Sequence, residues 1–131
     1  MNPRDILSRP GPRPDFTVAY GDLPDHVADV WLPATDDGRP LVLFIHGGFW
    51  MASFDRTHTR PLAGALAELG YPVATLEYRR VGGGGGWPYT FDDVAAAVRT
   101  VPELVAQRRP STGVVLMGHS AGGQLALWAA R

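Results

Sequence analysis

The sequence predicts an α/β protein in which an antiparallel pair of strands precedes parallel strands that carry helices on both faces. Two observations support this fold class. Apolar runs without alternation, typical of strands buried on both faces, occur at residues 41–45 and 114–117, and residues 72–78 are strand-like. Helix-forming segments separate these runs, and strands that alternate with helices build a parallel sheet. With 131 residues, of which 45% are hydrophobic, the chain suffices for one modest domain.

The N-terminal residues 1–14 are predicted to form an extended arm outside the core. Proline lacks a backbone N–H group, and its repeated use here denies the segment regular hydrogen bonding. The prolines of this arm are Pro3, Pro10, Pro12 and Pro14. Because the first residues contain no sustained apolar stretch, we expect no secretory signal and a cytoplasmic protein.

The antiparallel pair is predicted at the start of the domain. Residues 16–20 and 26–32 are strand-like, and residues 21–24 between them form a turn. A polar loop over residues 33–40 leads to the first buried strand, residues 41–45.

A short helix and a second buried strand follow. Residues 61–69 have helical spacing and end before Gly70, a typical C-terminal cap. The apolar face of this helix is predicted to consist of Leu62, Leu66 and Leu69. Residues 72–78 are the next predicted strand.

Five consecutive glycines, residues 82–86, predict a loop before the longest helix. Thr90 is the predicted N-terminal cap, with Asp92 and Asp93 facing the positive end of the helix dipole. The apolar face of this helix is predicted to contain Val94, Ala97, Val98, Val101 and Val105. Pro102 is expected to kink or split the helix.

The stretch from residue 114 to 123 predicts a strand, a sharp turn and a helix around a G-x-S-x-G pattern. Such a turn exposes the serine hydroxyl, which makes Ser120 the candidate nucleophile. Gly118 and Gly122 support the turn because a β-carbon would collide there. The structural alternative is a run of small residues that lets a helix pack closely on a sheet.

The segment His46-Gly47-Gly48-Phe49, which follows the buried strand 41–45, predicts an oxyanion hole. A serine nucleophile needs donors for the negative oxygen that forms when it attacks a carbonyl. The candidate donors are the backbone N–H groups of Gly47, Gly48, Phe49 and Ala121.

With both motifs in place, the chain resembles the N-terminal part of an α/β-hydrolase. It is similar to the branch of carboxylesterases, hormone-sensitive-lipase-like and kynurenine-formamidase-like proteins. The matching segments are residues 44–50 (FIHGGFW), 77–79 (EYR), Trp87-Pro88 with Asp92-Asp93, and 118–123 (GHSAGG). The resemblance implies that residues 15–131 are a partial α/β-hydrolase domain. It also implies a serine hydrolase that cleaves carboxylic esters, or an activated amide such as an N-formyl group, through an acyl-enzyme on Ser120.

In that family the acid and the base follow the nucleophile, in the order Ser, Asp or Glu, His. Both are therefore expected beyond residue 131, and the chain is expected to be a fragment that is unstable or aggregated when made alone. The strand at residues 114–117 would then be an exposed, adhesive edge. Two alternatives remain open: a non-catalytic truncated fragment or binding module, and a peptidase of the same fold.

The histidines are predicted to be structural. In proteins of the family that the chain resembles, the histidine at the position of His46 steadies the oxyanion loop. His119 is expected to pack or hydrogen-bond beneath the turn, because neighbouring side chains there diverge. His26 and His58 have surface-like contexts without metal-ligand spacing. Arg79 is expected to form an ion pair that holds the glycine-rich loop.

Composition restricts the partners. A net charge of −1 with scattered charges argues against nucleic acid and a membrane surface, and the absence of cysteine excludes disulfides and thiolate metal sites. We expect no cofactor and no metal, and a small-molecule ester or amide as substrate. Phe49, Trp50 and Trp87 are the candidate pocket residues. The oligomeric state is left open.

Overall fold

The structure is a computed structural model that describes residues 5–131, with residue 6 described by its backbone alone. The strands are β1 (Phe16–Ala19), β2 (Val27–Trp31), β3 (Leu41–Ile45), β4 (Val73–Leu76) and β5 (Val114–Gly118). The helices are α1 (Asp5–Ser8), α2 (Arg60–Glu68), α3 (Tyr89–Ala106) and α4 (Ala121–Ala130), and a 3-10 helix at Arg56–Thr59 precedes α2.

One mixed sheet contains all five described strands, in the order β1-β2-β4-β3-β5. The pairs β1–β2 and β2–β4 are antiparallel, whereas β3 runs parallel to both β4 and β5. In register, Leu43 of β3 lies between Ala74 of β4 and Leu116 of β5. The predicted antiparallel pair and the parallel strands after it are confirmed.

Helices cover both faces of the sheet, as predicted. On one face α3 and α4 pack against a core cluster that includes Leu43, Val101 and Leu125. On the other face α2 packs through Ala63 against a smaller cluster around Val42. All five residues of β3 are buried, which confirms a strand covered on both faces. The strand β5 forms one edge of the described sheet, and its first two residues are exposed.

The predicted apolar face of α2 is partly wrong. Leu62 and Leu69 are 41% and 64% exposed, and the buried positions are Ala63 and Gly64. The helix is approached closely by the N-terminal arm, since a β-carbon on Gly64 would stand 2.5 Å from Cγ of Pro12. Close contact selects small residues over leucine. Gly70, the predicted cap, follows the helix with a φ of +98°.

The predicted start of α3 is also wrong, and Pro102 does not split the helix. The helix begins at Tyr89, and Thr90 lies in its first turn instead of capping it. The Thr90 hydroxyl accepts the N–H of Gly86 at 3.0 Å and donates to the carbonyl of Arg79 at 2.5 Å. The helix continues through Pro102, because buried side chains on both sides of that residue anchor it to the sheet.

Part of the predicted arm contacts the domain. Pro3 lies outside the described residues, whereas Asp5–Ser8 form one helical turn where an extended chain was expected. Farther along, the indole N–H of Trp31 donates to the carbonyl of Pro12 at 3.2 Å. In residues 5–131, no helix has the length and apolar character needed to cross a membrane.

Candidate active site

Ser120 occupies a strained turn between β5 and α4. Its φ of +55° and ψ of −119° lie outside the regions that non-glycine residues favour, and the residue is exposed. A β-carbon at Gly118 would stand 2.2 Å from the carbonyl oxygen of Gly122. The turn therefore depends on glycine on both sides of the serine, and it presents the hydroxyl at the end of β5.

The loop after β3, residues 46–51, lies directly against this turn; we refer to it as the HGG loop. A β-carbon at Gly47 would stand 2.6 Å from the carbonyl oxygen of His119 and 3.1 Å from Cβ of Ser120. The backbone N–H of His119 donates to the carbonyl of Ile45 at 3.3 Å, which joins the turn to the end of β3. The two motifs that the sequence pairs are thus in contact.

Several backbone N–H groups at this contact are unused. Within residues 5–131, those of Gly48, Phe49 and Ala121 have no hydrogen-bond acceptor. Unpaired N–H groups beside an exposed serine are the kind of donor that an oxyanion requires. The roles of these donors remain predictions, and the described contacts are compatible with them.

The HGG loop is held in an uncommon conformation. Phe49 and Trp50 have φ values of +55° and +58°, which is rare for large side chains. The carbonyl of Trp50 accepts the N–H of Val81 at 2.7 Å, and the carbonyl of Val81 accepts the N–H of Ala52 at 2.9 Å. These bonds tie the loop to the segment that leads into the five glycines.

Beneath the loop, His46 and Glu77 form a buried pair. Nε2 of His46 lies 2.6 Å from Oε1 of Glu77, and its Nδ1 lies 2.7 Å from the carbonyl oxygen of Gly47. The imidazole ring stacks on the ring of Tyr78 at 4.7 Å, and the Tyr78 hydroxyl donates to the carbonyl of His46 at 2.8 Å. This arrangement is compatible with the predicted support role of His46.

Glu77 is the centre of a larger buried network. Its Oε2 accepts the backbone N–H of Arg56 at 2.9 Å, and the Arg56 side chain reaches on to Asp29 at 2.9 Å. Burial by itself raises the pKa of Glu77. The hydrogen bond and the charge of His46, with help from Arg80 and the Arg56 N–H, outweigh burial and lower that pKa.

The expectation that His58 has a surface-like context is wrong. The ring of His58 is half-buried and meets His46 edge-on at 5.6 Å. Burial lowers the pKa of His58, and the nearby His46 lowers it further. His119 also departs from expectation, because it is exposed instead of packed beneath the turn.

His26 and Asp93 belong to a second hydrogen-bond network, which surrounds the buried carboxylate of Asp93. His26 was expected in a surface-like context, and Asp93 was expected to interact with the helix dipole. Nε2 of His26 lies 2.9 Å from Oδ1 of Asp93, and Arg79 donates to both oxygens of that carboxylate. The ion pair predicted for Arg79 is present. Asp93 is buried, so this carboxylate fastens α3 to the β1–β2 turn and to the segment after β4.

The three candidate pocket residues are all solvent-accessible. Phe49 and Trp87 are 70% and 75% exposed, and Trp50 is exposed to a lesser degree. The indole of Trp87 meets Phe91 edge-on at 4.9 Å, and Phe91 meets Trp128 of α4 at 5.0 Å. Trp87 therefore begins an aromatic row that reaches the helix after the serine, whereas Phe49 and Trp50 belong to the HGG loop.

Sequence reasoning missed Arg56 and Asp29, and it noted Glu77 only within a motif. The sequence feature that could have identified them is a charged residue within or directly after an apolar strand. Asp29 interrupts strand β2, and Glu77 directly follows the buried strand β4. A charged residue in such a position is rarely buried without a partner, so it predicts an ion-pair network. The identity of the partners is not encoded locally.

The chain has the α/β-hydrolase fold in its esterase branch. The features that define it are the sheet order, the strand-turn-helix around Ser120 and the HGG loop beside that turn. The BD-FAE family model matches residues 28–131, and the chain belongs to this family. The isoprenylcysteine alpha-carbonyl methylesterase ICME of Arabidopsis thaliana is 31% identical over 116 residues, 84% of this chain and 26% of that protein. The kynurenine formamidase of Danio rerio is 32% identical over 111 residues, 83% of this chain and 36% of that protein.

Among solved structures, esterase B of Lactobacillus rhamnosis superimposes with a TM-score of 0.76 at 26% identity, over 97% of this chain and 42% of that chain. The same esterase inhibited by a tributyrin phosphonate gives a TM-score of 0.72 at 27% identity, over 92% of this chain and 41% of that one. The chain spans about a quarter to a third of the length of the curated relatives it matches.

Proposed function

We propose that the protein is a serine hydrolase that cleaves carboxylic esters through an acyl-enzyme on Ser120. The single observation that carries this proposal is the contact between the HGG loop and the strained serine turn, where Gly47 approaches Cβ of Ser120. That contact brings unpaired backbone N–H groups beside an exposed hydroxyl. Such an arrangement suits a nucleophile and the donors for its oxyanion.

In the proposed reaction, Oγ of Ser120 attacks the ester carbonyl and forms a tetrahedral intermediate. The N–H groups of Gly47, Gly48, Phe49 and Ala121 are the proposed donors to its oxyanion. The alcohol leaves with a proton, and water then hydrolyses the acyl-enzyme. Loss of one such donor costs about 3 to 4 kcal/mol of transition-state stabilisation.

Ser120 also needs a general base and an orienting carboxylate. His46 and His26 are unsuitable bases, because His46 is engaged by Glu77 and His26 by Asp93. We propose that both groups come from sequence beyond residue 131, in the order acid and then histidine. This proposal follows the chain order of α/β-hydrolases.

The proposed substrate is a small carboxylic ester, with an activated amide such as an N-formyl group as the second possibility. Relatives named as a methylesterase and as a formamidase support this range. The phosphonate-inhibited esterase supports a nucleophilic mechanism, because phosphonates trap nucleophiles. The exposed rings of Phe49 and Trp50 offer an apolar wall for the substrate.

One observation favours a second candidate, a binding module that retains the turn for packing. A β-carbon at Gly122 would stand 1.9 Å from the carbonyl oxygen of Ile45, so the small residues of the turn also let α4 pack closely on β3. A peptidase of the same fold is the remaining alternative.

The test compares the full-length wild-type protein with its Ser120→Ala and Ser111→Ala variants. Ser111 lies in the loop before β5 and serves as the control. The substrates are short-chain nitrophenyl esters, an N-formyl arylamine and a peptide anilide. We expect ester turnover by the wild type and Ser111→Ala, and none by Ser120→Ala. Turnover of the peptide anilide alone would identify a peptidase, and an inert wild type that binds the ester would identify a binding module.

A further inference from the structure

We propose that Glu77 and His46 form a buried ion pair that polarises the peptide between Gly47 and Gly48 and strengthens the Gly48 N–H as an oxyanion donor. Glu77 is then a positioning residue for the HGG loop, acting through His46. This inference rests on the proposed function of Ser120.

The contacts of His46 fix where its protons lie. A backbone carbonyl only accepts hydrogen bonds, so the short contact between Nδ1 of His46 and the oxygen of Gly47 requires a proton on Nδ1. The other ring nitrogen faces Oε1 of Glu77 at 2.6 Å. If Glu77 is ionised, Nε2 must also donate, and the ring is an imidazolium.

The surroundings of Glu77 determine the charge of its carboxyl group. Its two oxygens accept the backbone N–H groups of Arg56 at 2.9 Å and of Tyr78 at 3.2 Å. The guanidinium groups of Arg56 and Arg80 each approach it to 3.4 Å. A buried carboxyl surrounded only by donors is stabilised as the anion. The ring of His46 therefore carries the positive charge that this carboxylate balances.

A single peptide unit connects the His46–Glu77 pair to the proposed oxyanion hole. The carbonyl of Gly47 and the N–H of Gly48 belong to one peptide unit. A charged donor on the carbonyl oxygen withdraws electron density through that unit, which makes its N–H more acidic and a stronger donor. The Gly48 N–H has no acceptor within residues 5–131, so a developing oxyanion can use it.

Tyr78 keeps this geometry in place. Its ring lies parallel to the imidazole within 21°, and its hydroxyl bonds to the carbonyl of His46. Burial and the negative charge of Glu77 raise the pKa of Tyr78, so the hydroxyl stays a donor. His46 is thus fixed on three sides, and the polarised peptide does not have to reorganise when charge develops.

The decisive variant is Glu77→Gln. A glutamine accepts the Arg56 N–H through its oxygen and donates its amide to Nε2 of His46, so these two hydrogen bonds persist while His46 becomes neutral. The longer bond from the Tyr78 N–H is lost, because that N–H now faces the amide nitrogen. In full-length protein we expect kcat for ester hydrolysis to fall about ten-fold with KM nearly unchanged, less than the loss of a whole donor. The matched control is Asp93→Asn, which neutralises the similar carboxylate that bonds His26 and Arg79 away from the loop.

Asp93→Asn should lower the unfolding midpoint as Glu77→Gln does and leave kcat unchanged. An equal fall of kcat in both variants, or an unchanged kcat in Glu77→Gln, would overturn the proposal. Isotope-edited NMR of the histidine ring nitrogens gives a readout independent of turnover and of the variants' folding. Two ring N–H groups on His46 in the wild type support the ion pair, and one overturns it. An inert wild type with an imidazolium at His46 would instead overturn the proposed function alone.

Discussion

The α-carbon of Gly122 lies so close to the carbonyl oxygen of Ile45 that a β-carbon on residue 122 would stand 1.9 Å from that oxygen. Ile45 ends β3 and Gly122 lies in the first turn of α4. The helix after the serine therefore rests directly on the backbone from which the HGG loop departs. Through this contact, the position of the nucleophile and the position of its proposed donors depend on each other.

Gly122→Ala should destabilise the protein by about 3 kcal/mol, the upper part of the cost of overpacking, because the obstacle is backbone that cannot rotate away. Gly123→Ala is the matched control, since a β-carbon there meets nothing closer than 3.5 Å. Replacing this helical glycine should be neutral or stabilise by up to about 1 kcal/mol. Urea unfolding of both variants measures the difference, and equal midpoints would contradict the close contact.

Thr75→Val should stabilise the protein by about 1 kcal/mol, because a buried hydroxyl without a partner costs free energy. Thr75 lies in central strand β4, and its Oγ1 has no hydrogen-bond partner in the part of the chain that the structure describes. Thr59→Val is the control, since the buried Thr59 donates to the carbonyl of Arg56. That variant should lose about 1 kcal/mol. Thermal unfolding should shift the two midpoints in opposite directions.

His58→Gln should flatten the decline of stability on acidification. The pKa of His58 is lowered in the folded state by burial and by His46, so the unfolded chain binds this proton more readily. Stability therefore falls as the pH drops below the pKa of histidine in the unfolded chain, which is about 6.5. Unfolding midpoints measured from about pH 7 to pH 5 should decline less in the variant, in the range of that titration. Parallel declines would show that His58 does not titrate as described.

At lower pH a second decline is expected from the carboxylates. The pKa values of Glu77 and Asp93 are lowered because their hydrogen bonds and positive neighbours outweigh burial. Their stabilisation is present above the unfolded carboxyl pKa of about 4 and is lost as pH falls through the lower folded values. This decline should persist in His58→Gln.

Phe49→Ala should raise KM for esters with a large acyl or alcohol group about five-fold, which corresponds to an aromatic contact of about 1 kcal/mol. Leu127→Ala is the control, because Leu127 is 78% exposed on α4 and is proposed to have no contact with substrate. Neither variant should change the unfolding midpoint much, since both side chains are largely in solvent. A similar KM effect in both would argue against Phe49 as a pocket wall.

The features that could be predicted from the sequence are those with a local signature. A strand buried on both faces is an unbroken apolar run, and a serine turn needs glycines at fixed spacing, so β3 and the surroundings of Ser120 were identifiable. The buried face of α2 is mispredicted because contact with Pro12, far away in the chain, requires glycine at position 64.

The buried networks could not be predicted, because the fold assembles them from distant segments. Arg56 and Glu77 are 21 residues apart, and His26 and Asp93 are 67 apart. No periodicity links such residues. The parallel pairing of β3 with β4, in which Ile45 lies opposite Leu76, brings His46 beside Glu77. A surface-like local context concealed the partial burial of His26.

The central claim is that Ser120 is the nucleophile, and active-site labelling tests it most directly. Full-length protein is treated with a fluorophosphonate, and the modified residue is located by peptide mass spectrometry. We predict one adduct per chain, on Ser120, with loss of ester turnover in proportion to labelling. An adduct on a different residue, or full turnover by a protein that carries no adduct, would contradict the account.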